Sequence, residues 1–135
     1  MSFQWLHMRI QEEKDRRKRE AITFERLPSA LEELHTVLQE GITAYTEAFG
    51  SDSVKLALLP SRIRVTTPAV QVDVVIAPEI PGFRIERGDT SLGVEVGLLP
   101  SNNLFYRDRE QDVYLTLEDL TRRVLDRALF PKLPE

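Results

Sequence analysis

Residues 54–96 read VKLALLPSRIRVTTPAVQVDVVIAPEIPGFRIERGDTSLGVEV, and this stretch decides the fold. Its apolar residues recur at every second position between short turns. A period of two is typical of strands that bury one face of a sheet. The residues that carry the pattern are Val54, Leu56, Leu58, Ile63, Val65, Val70, Val72, Val74, Ile76, Phe83, Ile85, Leu92, Val94 and Val96.

The turns between these strands predict the register of the sheet. A turn at Pro60 and Ser61 places Leu58 opposite Ile63, so both lie on the apolar face. Turns at residues 68–69 and 88–89 keep the apolar residues of the next strands on that same face. They pair Val65 with Val72, Ile63 with Val74, Ile85 with Leu92, and Phe83 with Val94. Weaker strands are expected at residues 104–107 and 113–115, which gives an antiparallel meander of five to seven strands.

Two helices are predicted before the strands. The first covers residues 2–26, which contain neither glycine nor proline and are rich in helix-forming residues. Pro28 is expected to end it, with Ser29 and Glu32 forming a capping box for a second helix. Gly50 is placed to stop that second helix. Its apolar stripe consists of Leu31, Leu34, Leu38, Ile42, Tyr45 and Phe49.

A C-terminal helix follows the last strand. Thr116 is placed as its N-cap and Asp119 as the partner that bonds back, while Pro131 ends it. Its apolar stripe consists of Leu117, Leu120, Val124, Ala128 and Leu129. The predicted class is therefore α+β, with two N-terminal helices, the meander, and a C-terminal helix packed on the same sheet face.

A sheet that curls around a helix resembles helix-grip and cystatin-like architectures, a likeness that implies no function. The expected organisation is an N-terminal charged helix with an apolar end, residues 1–27, and a single α+β domain, residues 28–135. The chain of 135 residues has a net charge of −4 and no cysteine. We therefore expect a cytoplasmic protein with no disulfide, no nucleic-acid partner, no membrane span and no signal peptide.

No recognised catalytic or phosphate-binding motif occurs, and the only histidines are His7 and His35. We expect no metal and no cofactor, because the chain has no cysteine and its two histidines lie far apart in the sequence. The alternative to a binding role is a small-molecule-binding protein or a small metal-independent enzyme. It would use a pocket between the sheet and the core helix. The candidate polar residues for it are His35, Tyr45, Asp73 and Arg84.

The outward face of the sheet is expected to be charged and paired. The predicted register places Arg64 opposite Asp73 on that face, and exposed pairs of this kind usually add less than about 1 kcal/mol. Gly93 and Gly97 point the same way. A glycine inside a strand is often explained by a bulge or by close approach of another group.

Residues 11–20 are all polar or charged, so they offer no apolar stripe to a core. Glu13 with Arg17, and Asp15 with Arg19, have the spacing of ion pairs on a helix surface. A solvated helix held by such pairs is the main interpretation. A patch that binds phosphate or acidic lipid is the alternative.

An apolar cluster precedes this charged segment and consists of Phe3, Trp5, Leu6, Met8 and Ile10. The cluster either folds back as a satellite core or docks onto a second copy or another protein, where aromatic residues carry much of the binding energy. The hypothesis favoured by the sequence is a non-enzymatic protein-binding domain. It would form a homodimer or bind a protein partner through the N-terminal helix.

Overall fold

The computed structural model describes residues 2–50 and 53–134. Met1, the first residue of the expected unit 1–27, and Glu135, the last residue of the expected unit 28–135, therefore lie outside the described part. It is an α+β fold in which a long helix precedes an antiparallel sheet and a second helix follows it. The elements are α1 (Gln4–Phe49), β1 (Lys55–Leu59), β2 (Arg62–Thr66), β3 (Gln71–Ala77), β4 (Gly82–Arg87), β5 (Thr90–Leu98), β6 (Leu104–Asp108), β7 (Val113–Leu115) and α2 (Leu117–Leu129).

The seven strands form one sheet in chain order, each antiparallel to its neighbours. The predicted register is confirmed at all three turns, those at residues 60–61, 68–69 and 88–89. Ile63 lies between Leu58 and Val74, and Ile85 lies opposite Leu92. The weak strands predicted near residues 104–107 and 113–115 are β6 and β7. Alternation of apolar residues, combined with short turns, was sufficient to define this sheet.

The prediction of two N-terminal helices is wrong, because α1 is a single helix of 46 residues with Pro28 inside it. A proline in a helix removes one backbone hydrogen bond and costs about 3 kcal/mol. Here its ring is exposed, while Leu27, Ala30 and Leu31 are buried on either side of it. Burying each large aliphatic side chain contributes about 1.5–3 kcal/mol, so packing on both sides of Pro28 offsets the lost bond.

Ser29 consequently lies within α1 and is not an N-cap. The helix also crosses the boundary proposed at residue 27 without a break. Whether residues 1–27 and 28–135 behave as separate units stays a prediction.

Both helices pack on the inner face of the sheet and share one core with it. The buried stripe of α1 runs over about five turns and includes the fully buried Leu34 and Leu38. Leu120 and Val124 of α2 enter the same core. The predicted placement of the C-terminal helix on this face is confirmed. The buried residues of α1 are Thr23, Leu27, Ala30, Leu31, Leu34, Leu38 and Ile42.

The predicted caps of α2 and of the end of α1 are also confirmed. Thr116 Oγ1 accepts a hydrogen bond from the Asp119 backbone N–H at 3.0 Å, and the Thr116 N–H donates to Asp119 Oδ2 at 3.0 Å. These bonds from Thr116 lower the pKa of Asp119 below its ordinary value. Gly50 follows α1 with a φ of 56°, in the left-handed region that favours glycine.

Truncation of Val74 tests the register. Val74 is completely buried, so Val74→Ala should lower the free energy of unfolding by about 1–3 kcal/mol, because it removes two methyl groups from a packed layer. Val113→Ala is the matched control, since Val113 is a strand valine with 44% of its surface exposed. Urea titration measures both. Equal effects at the two positions would contradict the inward placement of Val74.

Alanine at Ser29 tests whether α1 is continuous. Within a helix, Ser29→Ala should raise the free energy of unfolding by a few tenths of a kcal/mol, because alanine is the better helix former. At an N-cap the same change would lower it by about 1 kcal/mol. Thr116→Ala removes the real cap and should show that loss. A loss at Ser29 comparable to the one at Thr116 would contradict the single helix.

Candidate protein-binding site

The N-terminal end of α1 projects from the domain as a free helix. All residues from 4 to 12 are exposed. Arg19 is the first residue of α1 whose side chain bonds to another element, through the Leu98 carbonyl at the end of β5. We call residues 4–18 the rod. At 1.5 Å per residue it is about 22 Å long.

The apolar residues of the rod lie at its far end. Together with Phe3, which directly precedes α1, they form what we call the apolar tip: Phe3, Trp5, Leu6, Met8 and Ile10. Each of them has between 38% and 64% of its surface exposed. At 100° per residue, Trp5 and Met8 lie on one side of the helix, and Leu6 and Ile10 on the other. The structure does not fold this tip back as a satellite core. A helix end that is apolar on several sides is typical of a segment that becomes enclosed by another surface.

Ion pairs along the rod support the helix where no core does. Glu13 accepts hydrogen bonds from Arg16 Nε at 2.7 Å and from Arg17 Nε at 2.9 Å, so the predicted pair of Glu13 with Arg17 is confirmed. Arg16 also donates to Glu20 at 2.6 Å. These bonds, from Arg16 first and Arg17 second, lower the pKa of Glu13 to about 2.

The second predicted pair, Asp15 with Arg19, does not form. Gln11 donates to Asp15 at 3.1 Å, and Arg19 instead reaches a carbonyl of the sheet. The reason is position, because Arg19 lies where α1 first meets the domain. Two of the basic side chains that suggested an anion-binding patch, Arg16 and Arg17, are held by carboxylates of the same helix.

A second apolar surface lies at the opposite end of α1, and we call it the end groove. It has a volume of about 460 Å³ and lies between the C-terminal ends of both helices and the β2–β3 turn. Tyr45 packs against Phe49 and Phe130, with ring centroids 4.9 and 5.8 Å apart. Phe49 and Leu133 are 67% and 62% exposed. The apolar lining residues are Tyr45, Phe49, Val54, Pro68, Ala69, Ala128, Leu129, Phe130, Pro131 and Leu133.

The four polar candidates for a small-molecule site are not brought together. His35 is half-buried on α1, and Tyr45 lines the end groove. Asp73 and Arg84 lie on the outer face of the sheet, which points away from the helices. A sheet separates the two pairs, so they cannot line one pocket between the sheet and α1.

The charged outer face of the sheet is paired, as the sequence predicts. Asp73 Oδ2 accepts from Arg62 at 2.6 Å, and Asp73 Oδ1 accepts from Arg64 Nε at 3.2 Å. These arginines cover Asp73, which is only 5% exposed, so the expectation of an exposed pair is wrong for Asp73. Arg84 donates to Glu79 at 2.7 Å. Both candidate ligand residues on this face thus have partners within the chain, but the buried Nε of Arg84 makes no hydrogen bond in the described residues and lies 3.5 Å from Glu86 Oε2.

Gly97 on the same face is explained by close packing within the sheet. Phe105 of β6 lies opposite Gly97 and its ring covers the glycine. A Cβ atom at Gly97 would come within 2.2 Å of the Phe105 ring. Gly93 has no such constraint, because a Cβ there would make only an ordinary contact with Arg109 at 3.5 Å.

Sequence reasoning missed one buried charged group, Asp108. Its Oδ1 accepts from the backbone N–H groups of Glu110 and Gln111 at 2.9 and 3.1 Å, and its Oδ2 accepts from Arg123 Nε at 3.1 Å. Asp108 is 2% exposed and faces α2. It ties the β6–β7 turn to α2. Asp108 lies two residues after the inward-facing Tyr106 in β6. Because alternate residues of a strand point to the same face, this spacing could have predicted that Asp108 is buried.

Within residues 2–50 and 53–134, no group of three or more histidine, aspartate or glutamate side chains is placed to hold a metal ion. The expectation of no metal and no cofactor stays a prediction. No helix in the described part of the chain is long and apolar enough to cross a membrane.

No protein-family model, no curated protein and no solved structure matches this chain. The resemblance to helix-grip and cystatin-like architectures is thus a likeness of element order. The functional proposal rests on the surfaces of the molecule itself.

The titration of Glu13 tests whether the rod keeps its ion pairs in solution. The folded-state pKa of about 2 lies below the ordinary 4.5, so the stabilisation is present above pH 4.5 and is lost as the pH falls through about 2. The Glu13 carboxyl carbon should therefore titrate near pH 2 in an NMR experiment. Arg16→Gln with Arg17→Gln should move this midpoint towards 4.5. A wild-type midpoint already near 4.5 would show that the pairs do not persist.

Proposed function

We propose that this protein is a protein-binding module that self-associates through the apolar tip of its N-terminal helix. The observation that carries the proposal is the exposure of five large apolar side chains at the end of a rod that the domain does not cover. Trp5 and Phe3 are residue types that dominate the energetics of protein interfaces.

The size of the exposed surface supports this proposal. The five side chains of the tip expose an apolar surface on the order of 500 Å², which is as large as the largest patch on a typical monomer. At about 25 cal/mol per Å², covering it amounts to roughly 12 kcal/mol before the costs of association are subtracted. A helix surrounded by water does not require large apolar side chains at its end. The exposed tip is therefore best explained by a partner that covers it.

The rod supports a protein partner over a small ligand. It presents the tip as a preformed helix, which resembles the mode in which a helix enters an apolar groove of another protein. Its ion pairs maintain the helix without contact to the core. A preformed helix loses less conformational entropy on binding than a disordered segment. The expectations of a cytoplasmic location and of no nucleic-acid partner stay predictions.

Charged substitutions in the tip test the proposal. Trp5→Asp with Met8→Asp should weaken the dimer at least 30-fold in sedimentation velocity, because the loss of a central aromatic anchor costs at least about 2 kcal/mol. Gln4→Asp with His7→Asp is the matched control, since it adds the same charge to the same two turns and removes no apolar residue. Both variants should keep the circular dichroism of the wild type.

Two results would contradict the proposal. One is a wild-type protein that sediments as a monomer up to about 100 µM, where even weak specific dimers form. The other is an equal loss of association in the tip variant and in its charge control.

A further inference from the structure

The first strand, β1, forms one edge of the seven-stranded sheet. It has five residues without proline, and its single charged residue, Lys55, stands at its start. Leu58 and Leu59 near its end are 42% and 39% exposed. The other edge, β7, has only three residues. Sheets usually shield their edges by short strands, charges or proline, because an open edge can pair with another strand. By these criteria β7 is shielded and β1 is open.

The pairing of β1 with β2 defines which backbone groups face the open edge. Leu59 and Arg62 lie opposite each other across a two-residue turn, and the pair that closes such a turn exchanges hydrogen bonds. Residues of an antiparallel strand alternate between bonding to the partner and pointing away from it. Ala57 therefore also bonds to β2, whereas the N–H and C=O groups of Leu56 and Leu58 point to the open edge.

The side chains beside this edge are apolar on the inner face of the sheet and basic on the outer face. On the inner face, Leu56 and Leu58 continue the apolar rows of β2. On the outer face, β1 and β2 contain three basic residues and no acidic residue. These basic residues are Lys55, Arg62 and Arg64.

Asp73 of β3 neutralises only part of this positive charge. It pairs with both Arg62 and Arg64, so one carboxylate faces two guanidinium groups. The two arginine side chains are still 36% and 38% exposed. Lys55 at the start of β1 adds a third positive charge, and it is exposed. A strand added at β1 would therefore meet positive charge on the outer face of the sheet.

We propose that β1 binds an extended segment of another protein in which apolar residues alternate with acidic ones. The segment adds to the sheet antiparallel to β1 and exchanges backbone hydrogen bonds with Leu56 and Leu58, the mode known as strand addition. Its apolar residues extend the inner face, and its acidic residues lie near Lys55 and Arg64 on the outer face. This surface is separate from the apolar tip and does not depend on association through it.

A second copy of β1 fits this edge less well than an acidic segment. Pairing two copies would bring three basic side chains from each copy onto one outer face, and neither β1 nor β2 has an acidic side chain to pair with them. Like charges across neighbouring strands are destabilising. An acidic segment instead places a carboxylate opposite Lys55 and another beside Arg64.

Peptide titration tests the charge of the partner. The peptide TVEVEVT has the proposed alternation, and TVKVKVT is its matched control with the same apolar residues. In NMR titrations of the full-length protein at low salt, the acidic peptide should bind at least about tenfold more tightly, because only its charges complement the outer face. Equal binding of the two peptides, or no binding of the acidic one up to about 1 mM, would overturn the inference.

Charge reversal at the edge tests the site. Lys55→Glu should weaken binding of the acidic peptide about tenfold and strengthen binding of the basic one, because it reverses the charge beside the added strand. Lys132→Glu is the matched control at another exposed lysine and should leave both affinities unchanged. Equal effects of the two substitutions would show that the peptide responds to net charge alone and would contradict a site at β1.

Backbone methylation of the peptide tests strand addition without any change in the protein. In the added strand the valine N–H groups point to β1 and the glutamate N–H groups point away. N-methylation of two valines should therefore abolish binding, whereas N-methylation of the two glutamates should leave it nearly unchanged. Equal losses from the two modifications would contradict backbone pairing.

Hydrogen exchange identifies what occupies the edge. In the protein alone, the amides of Leu56 and Leu58 should exchange fast and those of Ala57 and Leu59 slowly. The acidic peptide should slow exchange at Leu56 and Leu58. Protection of these two amides in the protein alone, increasing with its concentration, would show that copies pair through β1 and would overturn the acidic partner.

The apolar tip provides the control that separates the two binding surfaces. Trp5→Asp with Met8→Asp should bind the acidic peptide as the wild type does, since the tip lies outside the sheet. Loss of peptide binding in this variant would contradict a separate site at β1. Sedimentation of the peptide-free protein reports on association through the tip alone, so failure of either proposal is recognised independently of the other.

Discussion

The packing of the α1 stripe against the inner face of the sheet is the interaction on which the rest of the structure depends. Leu27, Leu34 and Leu38 are completely buried there, and Ile63, Val74 and Leu120 close the same core from the sheet and from α2. This packing fixes the direction of a single helix longer than the domain it covers. The N-terminal turns of α1 must therefore leave the domain, and the apolar tip leaves with them.

The sheet could be predicted from the sequence because two independent signals agree there. The period of two places Ile63, Val74 and Ile85 on one face, and the short turns restrict which strands pair. The cap of α2 was also predictable, since Thr116 and Asp119 satisfy each other's backbone groups locally. These features depend on neighbouring residues, so the sequence contains nearly all the information that determines them.

The continuity of α1 could not be predicted in the same way. Pro28, Ser29 and Glu32 form a good local signal for a helix boundary. Burial of Leu27 and Leu31 on either side of the proline outweighs that signal, and this burial depends on strands far away in the sequence. The same limit applies to the end groove. Its walls come from the ends of two helices and from the β2–β3 turn, which only the folded chain brings together.

Residue parity explains why the proposed small-molecule site does not assemble. The alternation that buries Val72 and Val74 necessarily turns Asp73 to the outer face, whereas His35 and Tyr45 belong to a helix on the inner face. What the molecule does present is a pair of exposed apolar surfaces at the two ends of one helix, the apolar tip and the end groove. The proposed function follows from the length of α1 relative to the domain.

Trp5 is the only tryptophan of the chain, so its fluorescence reports on the apolar tip alone. The most direct test of the account is the emission of Trp5 in the wild-type protein, measured over a dilution series whose association state is followed by sedimentation. The account predicts a blue-shifted emission at concentrations where the dimer forms and a red shift as dilution releases the tip into water. An emission typical of water-exposed tryptophan at every concentration, including those where the protein is associated, would contradict it.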